Sequence, residues 1–239
     1  MKRYLSLFGL WARQCVYKFM FLLLLMAAVE TGLFAIRINA GQTLEYALEH
    51  GYTGYVCAVG FQILCALMCA VGCQFSERSG YTLARLRVSK WGAFLCHWLH
   101  NSLYFFLFWC AQTGIVLGLC RLHKYALGVD YGPQALLLAS FRVNFFHSLL
   151  PLADWGAYVC NALMALSLGA ATAQFSALER RGKRGKAAIL MAALVMGFFR
   201  RGIGSAANGI IGTISVIVTV WCAVSGMELL EGDLNETAA

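Results

Sequence analysis

Six long apolar stretches, joined by short polar segments, make up most of this chain. They cover residues 19–36, 55–75, 93–120, 155–175, 187 to about 204, and 209–227. A helix needs roughly 17 to 25 apolar residues to cross about 30 Å of hydrocarbon, and four of the stretches reach that length without a charged residue. Glu30 interrupts the first stretch, and Arg200 and Arg201 interrupt the fifth. The pattern predicts an all-α, polytopic membrane protein with six transmembrane helices.

The composition agrees with this class. Hydrophobic residues make up 60% of the chain and charged residues 13%, whereas about a quarter of the residues in a soluble domain are charged. No segment outside the apolar stretches is long enough to bury a core of its own. We therefore expect one transmembrane domain over residues 1–239, and any ATP hydrolysis must come from another chain.

The positions of lysine and arginine predict the orientation. Thirteen of the 19 basic residues lie in three alternate segments, with four before the first stretch, four after the second and five after the fourth. Because cytoplasmic loops are enriched in Lys and Arg, we expect a multi-pass protein of the cell membrane with both termini in the cytoplasm. The net charge of +8 then reflects loops that face anionic headgroups, and nucleic-acid binding is not expected.

Three further segments lie outside the apolar stretches. Residues 1–18 combine aromatic and aliphatic side chains with four basic ones, which predicts an interfacial amphipathic helix; a disordered basic leader is the alternative. Residues 121–154 form the long outer segment, either an outer-leaflet helix or a re-entrant start to the fourth span. The acidic composition of residues 228–239 predicts a disordered tail.

No catalytic or metal site is indicated. The ten cysteines contain no C-x-x-C pair, and most fall in apolar stretches, where a cysteine acts as a small hydrophobic residue. Nothing places a nucleophile against a base, and the Walker A motif of ATP-binding proteins is absent. We therefore expect neither an enzyme nor a cofactor-binding chain.

Polar residues recur on one face of the third apolar stretch. His97, Asn101, Tyr104, Phe108 and Gln112 follow one another at steps of three or four residues, which places them on one side of a helix. Polar groups inside a membrane usually face protein or water. The face, together with Glu30 and Gln62 from the first two stretches, predicts a translocation path or a dimer seam. Ordinary hydrogen bonding between helices is the alternative.

The basic loop 76–92, between the second and third stretches, carries the most functional information. Gly80 can break the incoming helix, Thr82 can cap a short new one, and Ser89 can cap the helix after it. Leucines and arginines alternate between these positions, at Leu83, Arg85, Leu86 and Arg87. The spacing predicts a short amphipathic coupling helix, which either docks a soluble partner or only connects two spans.

This loop resembles the first cytoplasmic loop of ABC-2 type transporter permeases. That family has an acidic–basic pair, then Gly-Thr-Leu, then leucines and a hydrophobic-Ser-basic step into the third membrane helix. The matching positions here are Glu77, Arg78, Gly80, Thr82, Leu83, Leu86, Val88, Ser89 and Lys90. The loop departs from the family in having Tyr81 between Gly80 and Thr82 and about one helical turn fewer before Val88.

The resemblance implies the permease subunit of an ABC exporter whose substrate is unidentified. It implies a separate ATPase subunit, which alone would bind ATP, and a second permease chain, identical or related, in the same bilayer. The residues implied in ATPase docking are Tyr81, Thr82, Leu83, Arg85, Leu86, Arg87, Ser89 and Lys90. The alternative is a non-transporting membrane scaffold, such as an immunity or regulatory protein, with the same topology.

Single cysteines placed at Gly41, Gly182 and Ala239 in a cysteine-depleted chain test the orientation. We expect membrane-impermeant reagents to label position 41 from outside, and positions 182 and 239 only from the cytoplasm, because the basic residues concentrate on that side. Labelling of position 239 from outside would indicate five spans and contradict the permease resemblance.

Overall fold

The computed structural model describes residues 2–39, 42–70, 89–128, 133–152, 154–179, 185–200 and 205–236. All regular secondary structure in these ranges is helical, which confirms the predicted all-α class for the part of the chain described. The helices are α1 (Lys2–Asn39), α2 (Leu44–His50), α3 (Thr53–Ala70), α4 (Lys90–Leu127), α5 (Pro133–Arg142), α6 (Asn144–Leu149), α7 (Trp155–Glu179), α8 (Ala187–Arg200) and α9 (Ser205–Glu236).

Five of the described helices, α1, α3, α4, α7 and α9, are long and apolar enough to cross a bilayer. They are consistent with a multi-pass membrane protein. The fifth predicted span corresponds to α8, which has 14 residues and is therefore about 21 Å long, shorter than the roughly 30 Å hydrocarbon layer. Residues 201–204 lie outside the described part.

The predicted interfacial helix of residues 1–18 is, from Lys2 onward, the first part of α1, which runs without a break from Lys2 to Asn39. No proline interrupts this segment, and one buried stripe runs along the whole helix at steps of three or four residues. The stripe consists of Leu7, Trp11, Cys15, Phe19, Leu22, Met26, Glu30, Phe34 and Ile38. The buried residues between Leu7 and Phe19 therefore extend the packing surface of the first span.

The helix α7 lies at the centre of the bundle and packs against α3, α4, α8 and α9. Its buried side consists mainly of small residues, among them Ala165, Ser167, Gly169, Ala170, Ala171 and Ala173. Small side chains allow helix backbones to approach closely in a membrane. At the closest point, a Cβ atom on Gly169 would lie 2.7 Å from the backbone N of Ser102 and 2.9 Å from its Cα.

Contacts between helices show their relative directions. Along α1 and α4 the residue numbers rise together, from Tyr4 beside Ser89 to Phe34 beside His123, so these helices are parallel. The helix α7 is antiparallel to α4. The contacts that show this are Asn101 with Thr172 and Trp109 with Tyr158.

The helix α9 is parallel to α7. Asn208 contacts Asp154 near the start of both helices, and Cys222 contacts Gln174 further along. Near its other end, α9 places Gly226 against Phe94, in the first turns of α4. The start of α1, the start of α4 and the region of Gly226 therefore lie at one end of the bundle, which we call the N-terminal end. The backbone of α9 continues to Glu236 and is helical through most of the predicted tail.

The outer segment 121–154 divides into three parts in the structure. Its first residues extend α4 to Leu127, and Gly128, with a φ of 62°, ends that helix in the left-handed conformation common at helix ends. The short helices α5 and α6 come next. Hydrogen bonds from Trp109 to the Leu149 carbonyl and from Asn161 to the Ser148 carbonyl, both 2.9 Å, attach α6 to α4 and α7.

Replacing Gly169 with alanine tests the close contact of α7 with α4. The new methyl group would meet backbone atoms of Ser102, so we expect a loss of about 1 to 3 kcal/mol in the free energy of unfolding, as for other over-packed sites. Gly118→Ala is the matched control, because a Cβ atom there meets nothing within 4 Å. Reversible unfolding in mixed micelles measures the free energy of unfolding of both variants. Equal stability of the two variants would contradict the close contact.

Candidate functional site

The predicted polar face of α4 is buried inside the bundle. His97, Asn101, Tyr104, Phe108 and Gln112 are each at most 4% exposed. They share one side of the helix, as their spacing predicted, and that side is covered by α1, α3 and α7. Each side chain of this face therefore packs against neighbouring helices of the bundle.

The amide of Asn101 connects α4 to α7. Its Nδ2 atom donates to the Thr172 hydroxyl at 3.0 Å, and its Oδ1 atom lies 3.2 Å from Nδ1 of His100. The Thr172 hydroxyl in turn donates to the Leu168 carbonyl of its own helix at 2.8 Å. A polar residue buried against apolar helices thus has its hydrogen-bonding groups satisfied by protein atoms.

Aromatic rings of α1 cover the first half of the same face. The indole of Trp11 lies over His97 with 4.6 Å between ring centroids, and Phe8 meets His100 edge-on at 5.1 Å. Further along the two helices, Phe19 meets Tyr104 edge-on at 5.0 Å. The two histidines are therefore packed between aromatic side chains at the N-terminal end of the bundle.

The carboxyl group of Glu30 meets the far part of the face. Gln112 donates from Nε2 to Glu30 Oε1 at 2.6 Å, and both residues are buried. Burial of an ionised carboxylate costs several kcal/mol, whereas one hydrogen bond to a charged group contributes about 1.5 to 3 kcal/mol. The bond from Gln112 alone does not offset the burial of a charged Glu30.

The predicted residue Gln62 lies away from this face. Its Nε2 atom donates to the Ala192 carbonyl at 2.7 Å and so joins α3 to α8. The structure thus brings Glu30 to the face and places Gln62 at a different helix contact. Phe108 is the residue that meets α3, through an edge-on contact with Phe61 at 4.5 Å between ring centroids.

Most of the predicted docking residues, Tyr81, Thr82, Leu83, Arg85, Leu86 and Arg87, lie outside the described part of the chain. Ser89 and Lys90 lie inside it. Ser89 caps α4 as predicted, since its hydroxyl accepts from the backbone N of Gly92 at 3.2 Å. The same hydroxyl lies 3.3 Å from the Tyr4 hydroxyl, so the first turn of α1 sits beside the residue that ends the loop.

Two residues that sequence reasoning had not assigned to the site, Trp11 and Thr172, belong to it. Trp11 occupies the same four-residue repeat as Leu7 and Cys15, a signal that would have extended the stripe of α1 into the N-terminal segment. Thr172 carries a hydroxyl group within a run of small residues on α7. Its partner on α4 could not be derived from spacing within one helix.

A groove of about 570 Å³ lies between α7 and α9, mainly against apolar and small residues such as Val159, Leu163 and Gly212. Asp154 and Asn208 form its polar end. One Asp154 oxygen accepts from the backbone N of Gly156 at 2.9 Å and caps α7, and the other accepts from Asn208 at 3.4 Å. The polar groups of this groove are therefore engaged with the protein.

Among the residues that the structure describes, no group of three His, Cys, Asp or Glu side chains is arranged to hold a metal ion. No protein-family model, curated protein or solved structure matches this chain. Conclusions about its function therefore depend on its own sequence and geometry.

Proposed function

We propose that this chain is the membrane-spanning permease subunit of an ABC exporter. A separate ATPase subunit would supply the energy of ATP hydrolysis, and a second permease chain would complete the path for an unidentified substrate. The observation that carries the proposal is the order of residues from Glu77 to Lys90, which resembles the first cytoplasmic loop of ABC-2 permeases. A non-transporting membrane scaffold is the competing function.

The surroundings of this loop support the proposal. The segment joins Ala70, the last residue of α3, to Lys90, the first residue of α4. The Ser176 hydroxyl donates to the Cys69 carbonyl at 2.9 Å, so the last turns of α3 and α7, which lead into the two basic loops, lie side by side. The chain therefore enters both basic loops from the N-terminal end, where α1 also begins, and an ATPase that contacts these loops would bind at this end.

Six spans with both termini on the cytoplasmic side are part of this proposal, and the positions of the described helix ends are compatible with them. A Cβ atom on Gly185, just before α8, would lie 2.9 Å from Phe175 Cα, near the end of α7. Asn208, early in α9, contacts Asp154 at the start of α7. Gly185 and Asn208, which lie on either side of α8 in the sequence, are therefore near opposite ends of α7. If α8 and the residues after it form the remaining span, the count agrees with the distribution of basic residues.

The predicted path residues on α4 are covered by neighbouring helices in this arrangement, so no path is open along them. Asn101 is tied to Thr172, and Gln112 is tied to Glu30. In a transport cycle, the face could serve as a path only when α1 or α7 moves away from α4. A face used for packing alone would keep these bonds throughout.

The double variant Asn101→Leu with Gln112→Leu distinguishes these two roles. Loss of each interhelical bond should lower the free energy of unfolding by about 1 kcal/mol. If the face lines the path, ATP hydrolysis by the purified complex with its ATPase also changes. Ser176→Ala, which removes the interhelical bond to Cys69 away from this face, is the control. An equal rate of ATP hydrolysis in the double variant and in Ser176→Ala would indicate that the face serves only for helix packing.

Replacing Leu83 and Leu86 together with aspartate tests the docking segment. A few buried anchor residues dominate most interfaces, at about 2 kcal/mol or more each, while charges at the rim mainly affect the rate of encounter. We therefore expect the two aspartates to abolish co-purification of the proposed ATPase subunit. Arg85→Ala with Arg87→Ala should weaken co-purification less and mainly at high salt.

Two results of the docking experiment would contradict the proposal in different ways. Equal recovery of the ATPase with the aspartate variant and with the unmodified chain would exclude this loop as the docking site. Failure to recover the ATPase with the unmodified chain in mild detergent would favour the scaffold function. Amounts of each variant in the membrane are measured beside recovery, so that a folding defect is recognised.

A further inference from the structure

Glu30 is the one carboxyl group on the buried stripe of α1. Its neighbours on the stripe are Met26 one turn before it and Phe34 one turn after it, and both are buried. On α4, Gln112 lies in a similar position between Phe108 and Val116, which are fully buried. Apolar side chains therefore seal the Glu30–Gln112 pair on both sides along the two helices.

The hydrogen bonds of this pair are incomplete if Glu30 is ionised. Gln112 Nε2 donates to Glu30 Oε1 at 2.6 Å. The remaining oxygens, Glu30 Oε2 and Gln112 Oε1, are both buried and have no hydrogen-bond partner among the described residues. Two acceptors without a hydrogen cannot satisfy each other, whereas a protonated carboxyl group supplies the missing donor. A carboxylic acid and a primary amide are complementary in this way, because each donates one bond and accepts one.

No cation among the described residues neutralises Glu30. The titratable group of α3 that interacts with it is the buried thiol of Cys57, and α4 presents the neutral amide of Gln112. Arg37, two turns further along α1, lies over the Tyr52 ring with its guanidinium carbon 5.9 Å from the centroid.

The charged groups on neighbouring elements are engaged elsewhere. On α2, Glu45 pairs with Arg142 of α5 at 3.3 Å. On α4, the side chain of His123 lies 3.0 Å from the Gln42 carbonyl, three turns beyond Gln112. The carboxyl group of Glu30 thus faces only neutral partners among the residues that the structure describes.

We propose that Glu30 and Gln112 form a proton-binding site between α1 and α4. The Glu30 carboxylate accepts one proton from hydronium, which becomes water, and forms a neutral carboxylic acid. Its Oε2–H donates to Gln112 Oε1 while Gln112 Nε2 donates to Glu30 Oε1. The protonated pair holds the two helices together by two hydrogen bonds. Release of the proton removes one of these bonds and leaves a charge in an apolar contact, which weakens the attachment of α1 to α4. The site stands on this geometry and does not require the chain to be a transporter.

Infrared spectroscopy of the full chain in lipid nanodiscs tests the site directly. The C=O stretch of a protonated carboxylic acid absorbs at higher frequency than a carboxylate. With the glutamate carboxyl groups isotope-labelled, we expect the unmodified protein at neutral pH to show an isotope-sensitive acid band. Glu30→Gln should abolish the band, and Gln112→Leu should shift its frequency, because the acid loses its amide partner.

Glu45→Gln is the matched control, since it removes a partly exposed carboxyl group that pairs with Arg142 and should leave the band unchanged. Absence of the acid band from the unmodified protein at neutral pH would overturn the proposal, and this measurement does not depend on any variant folding. A band that persists in Glu30→Gln, or one that is lost in Glu45→Gln, would also overturn it. An acid band whose frequency is unchanged in Gln112→Leu would show that the Gln112 amide is not part of the site.

Discussion

The close approach of α7 to α4 is the contact on which the arrangement of the other helices depends. It requires Gly169, because the backbone of Ser102 occupies the space that a larger residue would need. At this separation short side chains can bridge the helices, as Asn101 does to Thr172 at 3.0 Å. Since α7 also packs against α3, α8 and α9, its position relative to α4 fixes the rest of the bundle.

Hydrogen bonds from polar side chains to neighbouring helices then give the bundle its specific orientation. Apolar side chains alone distinguish poorly between helix rotations in a membrane, where lipid tails are equally apolar. Here Trp98 donates to the Leu166 carbonyl at 2.9 Å, Gln62 to the Ala192 carbonyl and Ser176 to the Cys69 carbonyl. Each of these bonds joins a different pair of helices, and a rotated helix would leave a polar group without a partner.

The apolar pattern predicted which segments are helical but not where the longest helices end. The helices α1 and α4 each have 38 residues, well beyond the apolar stretches from which they were predicted, because packing continues past the hydrophobic segment. The spacing from His97 to Gln112 predicted a shared face, since helical periodicity is a local property. The partners of that face depend on which helices become neighbours, and this is why Glu30 reaches it whereas Gln62 joins α8 instead.

The parallel pairing of α1 with α4 has a mechanical consequence. Each helix is about 57 Å long, and the pair is joined near both ends, by Tyr4 with Ser89 and by Phe34 with His123. Because the two helices are joined near both ends, we expect a tilt of one helix to carry the other with it. A tilt of about 5° at the end near Ser89 would displace the opposite end by roughly 5 Å, given that length. A change of tilt at the end near Ser89 would therefore appear as a larger displacement at the end near His123.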